Sequence, residues 1–508
     1  MRPCLALLLQ ILILWVPVTL TGQDSIPDIH ITLSPRNRTI NQVLDEITLQ
    51  TGYYFTYNAA LISGKERIRP EFTGLGLEET LDSLLQDPVF GYQVIGRNIV
   101  IYKKNDQPAF PVLQETDRSI IRGMVVDKRS GKPLPYATIT LYGTSMGSIS
   151  NESGIFSFKI PIDLADPILV VSYMGYKNLL LPVSYPVEQD LSIKLTRETI
   201  PLQEVIIRYS DPVKILQEAI RRIPENYMQE HSEMTAYYRE SVKRNDRYML
   251  FSEAVLNVAK GPYSESAASD RVSIRKGRKI SNLSNEDTVI IKLRSGINAS
   301  LSLDLIKNRP DFLMDDFLDY YMLEFTDLMS YGERLVYVIS FQQRSHITRL
   351  MFRGRIYIDQ ENLAILSADF EFNPQLIHQE PGIFLVTRSP RIKIRPLLAR
   401  YHVDYRAMEG QYHLSQVRAE VEMKVRRKRR WMGAKYRISI EMAITDMIPG
   451  ERIRIAPSER VKPNTILSDQ PFQFDPLFWG IYNTIEPEAT LQESLSKIEH
   501  SLQEINHQ

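Results

Sequence analysis

Beyond residue 211 the chain alternates apolar and polar residues over long runs, and this period of two constrains its fold more than any other feature. The runs YRESVKRNDRYMLFSEAVLNVAK (238–260), ERLVYVISFQQ (333–343), FRGRIYIDQENLAILSADFEF (352–372), ARYHVDYRAMEGQYHLSQVRAEVEMKV (399–425) and AKYRISIEMAI (434–444) each put apolar side chains on one face of a strand. Short polar turns such as AMEG and DQEN join several of them, which makes neighbouring strands antiparallel. The expectation is an antiparallel meander wrapped around one or two helices. One helix carries its own punctuation. Asp211 stands as cap, Pro212 at the first position, and Ile215, Ala219, Ile220 and Ile223 on the buried side before Pro224 stops it.

The only cysteine is Cys4. It lies ahead of an apolar run from Leu5 to Val18, broken only by Gln10 and Pro17, that has the length of a signal-peptide core. Thr19, Thr21 and Gly22 follow, so residues 1–23 are expected to be a signal peptide cut near Gly22 or Gln23. Cys4 would leave with it, so the mature fold has no disulfide or thiolate metal site and must rest on apolar burial. At 508 residues and 43% hydrophobic content the chain suits two to four domains. Lys plus Arg and Asp plus Glu are equal at 61 each, a balance that argues against a general polyanion binder. No run after the signal is long enough for a membrane helix.

Residues 24–104 read as strand, helix, strand, strand, helix, strand, strand. Thr39 with Gln42 forms a capping box, Ile40, Val43, Leu44 and Ile47 repeat at helical spacing, and Gly52 falls where a C-terminal cap belongs. Leu77, Leu81, Leu84 and Leu85 mark a second helix before a hairpin turning at Gly96 to Asn98. The blocks TINQVLDEITLQTGYYFTYN, LGLEETLDSLL and GYQVIGRNIVI resemble the secretin and TonB-receptor short N-terminal (STN) domain. That resemblance implies a periplasmic protein-contact module without catalytic residues.

Residues 105–117, with NDQPAFPVLQETD around them, read as a linker. Short alternating runs then fill residues 118–196, separated by Gly, Pro, Asn and Asp turns, as in a small β-sandwich. The blocks IRGMVVDKRSGKPLPYATITL, GSISNESGIFSF and VSYMGY resemble the carboxypeptidase regulatory-like domain, a transthyretin-like sandwich that is an accessory module and carries no peptidase site. The order of the two modules is similar to the N-terminal extension of Bacteroidetes TonB-dependent receptors, and ETIPLQEVIIR, within a linker at 197–210, resembles the lead into their plug. A plug and a barrel of about 22 strands would need several hundred further residues of different pattern, so the chain is not expected to be a transporter.

The resulting fold class is a multi-domain, β-rich α+β protein: an STN-like α+β module, a transthyretin-like β-sandwich, and a domain at 211–508 built as an antiparallel β meander or half-barrel with helices. By strand rhythm this last domain is similar to the periplasmic lipoprotein-carrier half-barrel, whose curved sheet holds an acyl chain. In its final segment Leu491, Leu495, Ile498, Leu502 and Ile505 form one face of an amphipathic helix.

Three local patterns invite chemistry. Gly143-Thr144-Ser145-Met146-Gly147 fits G-x-S-x-G, but a further β-run follows instead of the helix a hydrolase requires. None of the histidines, His30, His231, His346, His378, His402, His413, His500 and His507, has zinc-site spacing. His402 and His413 are expected to face each other across a hairpin as a solvated cross-strand pair. Lys424, Arg426, Arg427, Lys428, Arg429 and Arg430, followed by Trp431, read as a solvated turn, with anionic lipid headgroups as the alternative contact. The sites at Asn37, Asn151, Asn282 and Asn298 match the N-glycosylation pattern and carry little meaning in a bacterial host.

No catalytic, cofactor-binding or metal-ligating residue is assigned, no cofactor is expected, and the protein is not expected to be an enzyme. The expected function is a periplasmic or outer-membrane-associated adaptor whose partners are envelope proteins, such as a TonB-dependent receptor or a signalling component. The alternative is a lipid or lipoprotein carrier, with a lipid as its ligand. Nucleic acid is not an expected partner.

Overall fold

The computed structural model describes residues 30–33, 38–51, 53–57, 67–68, 71–85, 90–95, 98–103, 118–162, 164, 166–183, 190–198, 211–265, 270–281, 296–382, 392–427, 433–450, 453–462, 467 and 482–487. The proposed signal peptide, both linkers for the most part, Lys428 to Trp431 and the amphipathic segment from Leu491 to Ile505 lie outside the described residues. The chain packs as two compact units, Met1–Phe110 and Pro111–Gln508.

The first unit runs β1 (His30–Leu33), β2 (Arg38–Thr39), α1 (Ile40–Thr51), β3 (Tyr54–Tyr57), β4 (Arg67–Ile68), β5 (Phe72–Gly76), α2 (Leu77–Leu84), β6 (Phe90–Ile95) and β7 (Asn98–Lys103). The two-residue strands β2 and β4 pair with each other and add to the order read from the sequence. β6 and β7 form a hairpin, and β3 joins β7 in parallel. Val43, Leu44 and Ile47 of α1 and Leu77 and Leu81 of α2 are buried against Ile31, Leu33, Phe55, Ile99 and Ile101. The i, i+3, i+4 spacing in the helices thus meets the period of two in the strands.

The second unit opens with β8 (Arg118–Asp127), β9 (Thr138–Leu141), β10 (Gly147–Ile149), β11 (Ile155–Pro161), β12 (Ile168–Ser172), β13 (Leu179–Pro182) and β14 (Leu191–Leu195). They form a four-stranded sheet, β10-β9-β12-β13, facing a three-stranded one, β11-β8-β14. Ile121, Val125, Ile139, Phe156, Phe158, Leu169, Val171 and Ile193 fill the space between. The turn after β8 is tied by Asp127, whose carboxylate accepts from Arg129 N (3.0 Å), Ser130 N (2.6 Å), Ser130 Oγ (2.8 Å) and Tyr176 Oη (2.9 Å). Chiefly the Ser130 bonds hold its pKa down at about 2.

The rest of the unit contains α3 (Pro212–Arg221), α4 (Ile223–Asn226), β15 (Ser232–Arg244), β16 (Arg247–Lys260), β17 (Arg271–Ser281), α5 (Gly296–Ser302), α6 (Asp315–Leu318), β18 (Tyr321–Tyr331), β19 (Arg334–Gln343), β20 (Phe352–Asp359), β21 (Ile365–Phe372), β22 (Ile392–Met408), β23 (Gln411–Arg427) and β24 (Ala434–Pro449). Its ten strands make one open antiparallel sheet in the order β17-β16-β15-β24-β23-β22-β21-β20-β19-β18. Strands β18 to β24 follow one another as a meander, and β24 then pairs with β15, uniting them with the first three strands. Four short helices, against the one or two expected from the sequence, accompany this sheet among the described residues.

Two hairpins turn on residue pairs with positive φ, Asn245–Asp246 (46° and 65°) and Glu409–Gly410 (51° and 86°), the geometry that matches the twist of paired strands. Asp211 caps α3, accepting from Val213 N at 3.0 Å. At the β17 edge, Val461 N donates to Val272 O at 2.8 Å, so the returning chain covers part of that edge.

The two faces of the large sheet differ. On one, Met234, Ala236, Tyr238, Leu256, Ile356, Val403, Tyr405, Val417, Met442 and Ile444 pack against Ile215, Leu216 and Ala219 of α3, Ile297 of α5, Phe312 and Leu313 in the turn before α6, and Leu318 of α6. Phe312 stacks on Phe341 at a centroid distance of 4.3 Å and tilts against Phe370 at 5.3 Å. The opposite face carries Arg239, Glu253, Arg278, His402, Asp404, Arg406, Arg418, Glu441 and Asp446, and part of it lies beneath the sandwich.

Candidate functional site

The polar face and the sandwich meet in a seam built from directed contacts. Ser145 Oγ donates to Asp446 Oδ1 at 2.5 Å, and Arg406 Nη2 donates to Ser145 O at 2.6 Å. Gly147 allows this approach, because a Cβ there would lie 2.5 Å from Arg406 Nη1. Tyr136 Oη donates to Glu441 at 3.3 Å, with the Arg418 guanidinium 3.6 Å from its ring centroid. Farther along, Gly175 N donates to Ser330 O of β18 at 2.8 Å. The serine of the G-x-S-x-G pattern therefore points at a carboxylate of the large sheet and serves as a tie between the two parts.

Beneath the seam Glu253, 1% exposed, accepts from Arg239 Nη2 (2.8 Å), Arg278 Nε (2.6 Å) and Tyr237 Oη. Burial opposes ionisation of Glu253, but the two guanidiniums and the tyrosine hold its pKa below the usual carboxylate range. Arg239 also reaches Glu441 (3.4 Å).

His402 corrects the cross-strand expectation. It lies opposite Arg418, while His413 lies opposite Arg406, so the two histidines are not a pair. Nor are they solvated. His402 Nδ1 lies 2.7 Å from Asp369 Oδ1 and Nε2 2.8 Å from Asp404 Oδ2. Burial and Arg418 push its pKa down, but Asp404 and Asp369 outweigh them and raise it. His413 is fully buried with Nδ1 2.9 Å from Leu414 O, and burial with Arg406 nearby lowers its pKa to about 3. Alternation marks both histidines as strand residues; only the fold shows what covers the polar face.

A second polar cluster sits near the other end of β16. Lys260 Nζ bridges Asp270 (2.8 Å) and Asp304 (2.7 Å), Lys307 Nζ binds Asp270 (2.6 Å), and Tyr405 Oη donates to Asp304 (2.9 Å). Two cations and two carboxylates form a set whose charges balance, and each group is engaged. The cluster adjoins a cleft of about 590 Å³ lined by Ser232, Lys260, Gly261, Arg271, Ile455 and Arg460 among others. Its lining mixes apolar residues such as Ile453, Ile455 and Pro457 with the cations Lys260, Arg271 and Arg460.

Residues 121–207 match the CarboxypepD_reg-like domain. The CarboxypepD_reg-like sandwich thus supplies the Ser145 and Tyr136 side of the seam. No curated protein matches the chain. Among solved structures, a DUF1329 family protein from Desulfovibrio piger is 17% identical, with 46% of this chain and 93% of that chain covered and a TM-score of 0.19. The ferripyoverdine receptor of the Pseudomonas aeruginosa outer membrane is 10% identical, with 80% and 58% covered and a TM-score of 0.12. The Salmonella SPI-1 type III secretion injectisome basal body proteins give 10% identity, 84% and 93% coverage and a TM-score of 0.13. At these scores none of the three shows a shared fold.

Among the described residues no group of three or more His, Cys, Asp or Glu side chains is placed to hold a metal, and no helix is long and apolar enough to cross a membrane. Of the basic run, Lys424 and Arg426 are exposed on β23. Asn151, one of the glycosylation-pattern sites, is 1% exposed, and its side-chain oxygen serves the turn that follows it, accepting from Ser153 N and Ile155 N.

Proposed function

We propose that the protein is an exported, non-catalytic adaptor of a Bacteroidetes-type envelope, periplasmic or associated with the outer membrane. In this reading residues 24–104 act as an STN module, and they and the CarboxypepD_reg-like sandwich make contacts with envelope proteins of a transport or signalling system. The supporting observation is that the apolar face of the ten-stranded sheet is filled by the protein's own α3, α5 and α6. A carrier would keep that face for an acyl chain. The charged groups beneath the seam are engaged with one another, as suits a rigid mount for the sandwich. Surface apolar residues on the sandwich, Ile120 and Met124 on β8 and Leu180 on β13, offer material for a partner contact.

Native mass spectrometry of the full chain purified from its own envelope tests this reading against the carrier. The adaptor predicts protein of the bare mass, together with photo-crosslinks from a probe at Leu180 to one defined envelope protein. A stoichiometric acyl species with no such crosslink would replace it with the carrier.

A further inference from the structure

Residues 482–487 lie in a groove between the sandwich and the large sheet, held by groups from both walls. From the sandwich, Lys159 N donates to Asn483 Oδ1 (2.6 Å), Asn483 Nδ2 donates to Lys159 O (3.2 Å), and Asn151 Nδ2 donates to Glu486 O (3.2 Å). The Asn483 amide thereby takes the place of a neighbouring strand on β11, an edge of its sheet. From the large sheet, Arg239 donates to Ile485 O and to Glu486 O. Ile485, 2% exposed, packs among Ile149, Tyr136, Tyr237 and Ala443. Tyr482 lies beside Arg275 and Lys276, with centroid distances of 6.0 and 5.9 Å, and Arg122 lies 3.9 Å from Glu486.

Two properties separate this segment from ordinary packing. It forms no strand ladder with either sheet, and the side chains that hold it have other partners as well: Arg239 binds Glu253 and Glu441, and Asn151 accepts from Ser153 N and Ile155 N. The walls are also joined independently of it, through Ser145–Asp446, Arg406–Ser145 and Gly175–Ser330. The groove can therefore empty while the seam persists.

We infer that the groove is a recognition site for an extended peptide, filled in this chain by its own residues 482–487. The partner it accepts is an extended protein segment with the same order of chemistry: aromatic, Asn, any residue, aliphatic, acidic. The aliphatic side chain enters the pocket of Ile149 and Tyr237, the Asn caps β11, and Arg239 reads two consecutive carbonyls. This deepens the adaptor reading and rests on it. A tethered occupant competes at an effective concentration on the order of millimolar, so the resident segment sets a threshold that a partner must exceed.

The test uses the full chain and a labelled synthetic peptide, YNTIEP, with blocked ends. The variant Asn483→Ala/Ile485→Asp, which weakens the resident segment, should bind the peptide saturably and at least about 10-fold more tightly than the unaltered chain. A peptide with Asp in place of its Ile should not bind. A folded variant that ignores YNTIEP, or takes both peptides equally, would overturn the inference. Amide hydrogen exchange of the unaltered chain provides a readout that does not depend on the variant. Residues 482–487 should exchange faster than the centre of β15, and faster still when the peptide is added in excess; exchange only on global unfolding would make the segment a fixed part of the core and sink the proposal. A crosslinked envelope partner with no peptide binding would leave the adaptor standing and remove the groove.

Discussion

The two faces of the ten-stranded sheet are both buried over much of their area, yet by opposite chemistry. One is closed by aliphatic and aromatic side chains from short helices; the other holds arginines, carboxylates and a histidine under the sandwich. The apolar face gains from burial without regard to direction, at roughly 25 cal/mol per Å². The polar face gains little net energy from its ion pairs, because desolvation offsets most of the attraction, but it is unforgiving once a partner is lost. The apolar face thus supplies stability, and the polar face fixes where the sandwich sits.

That contrast can be broken most sharply at Glu253. Replacing it with Ala leaves Arg239 and Arg278 buried without their shared carboxylate and should cost about 3–5 kcal/mol in urea unfolding; a cost under about 1 kcal/mol would mean that water enters the seam freely. On the apolar face Leu216→Ala should cost about 2–5 kcal/mol, read in the same way, with no selective loosening of the sandwich. Ser145→Ala removes a hydrogen bond to a carboxylate and should cost about 1.5–3 kcal/mol, and proteolysis should then reach the seam before the helices. Equal protection of both regions would contradict the assignment of Ser145 as a tie.

The pH response sharpens the comparison further. With its folded pKa raised, His402 contributes fully below its unfolded pKa of about 6.5, and the contribution is lost as pH rises through the folded value. Asp369 and Asp404 have lowered pKa values, so their contribution is present above about 3.9 and is lost as pH falls, for Asp369 through about 2. The stability gap between the unaltered chain and His402→Gln should therefore be wider at pH 5.5 than at pH 9.5, and a gap independent of pH would place His402 outside the ion cluster. The smallest effect belongs to the half-exposed pair of Arg353 and Glu371, 2.6 Å apart: Arg353→Ala should change stability by at most about 1 kcal/mol, decreasing with salt.

Much of this architecture was legible because a period of two reports which side chains share a face. The runs around residues 238–260 and 399–425 fall on paired strands, and the Asp211-Pro212 start and the sandwich blocks correspond to α3 and to β8–β14. What alternation does not report is the covering of each face. It equates polar with solvated, so it gives no sign that Arg239, Glu253 and Arg278 are buried and points His402 and His413 into water. The Ser145–Asp446 bond spans 301 positions, and no local pattern links residues that far apart. Asn483 and Ile485 were invisible for the same reason, since six residues without periodicity become meaningful only between two walls.

The pairing of β15 with β24 has a consequence for how the molecule comes into being. Ser232 lies opposite Pro449, so the three-strand and seven-strand parts of the sheet cannot join until nearly the whole chain is available. Contacts of such sequence separation close slowly. A chain emerging from its N-terminus first would hold β15 with one side unpaired throughout the arrival of the seven strands β17 to β23. That interval, rather than the finished protein, is when it most needs shelter from edge-to-edge association.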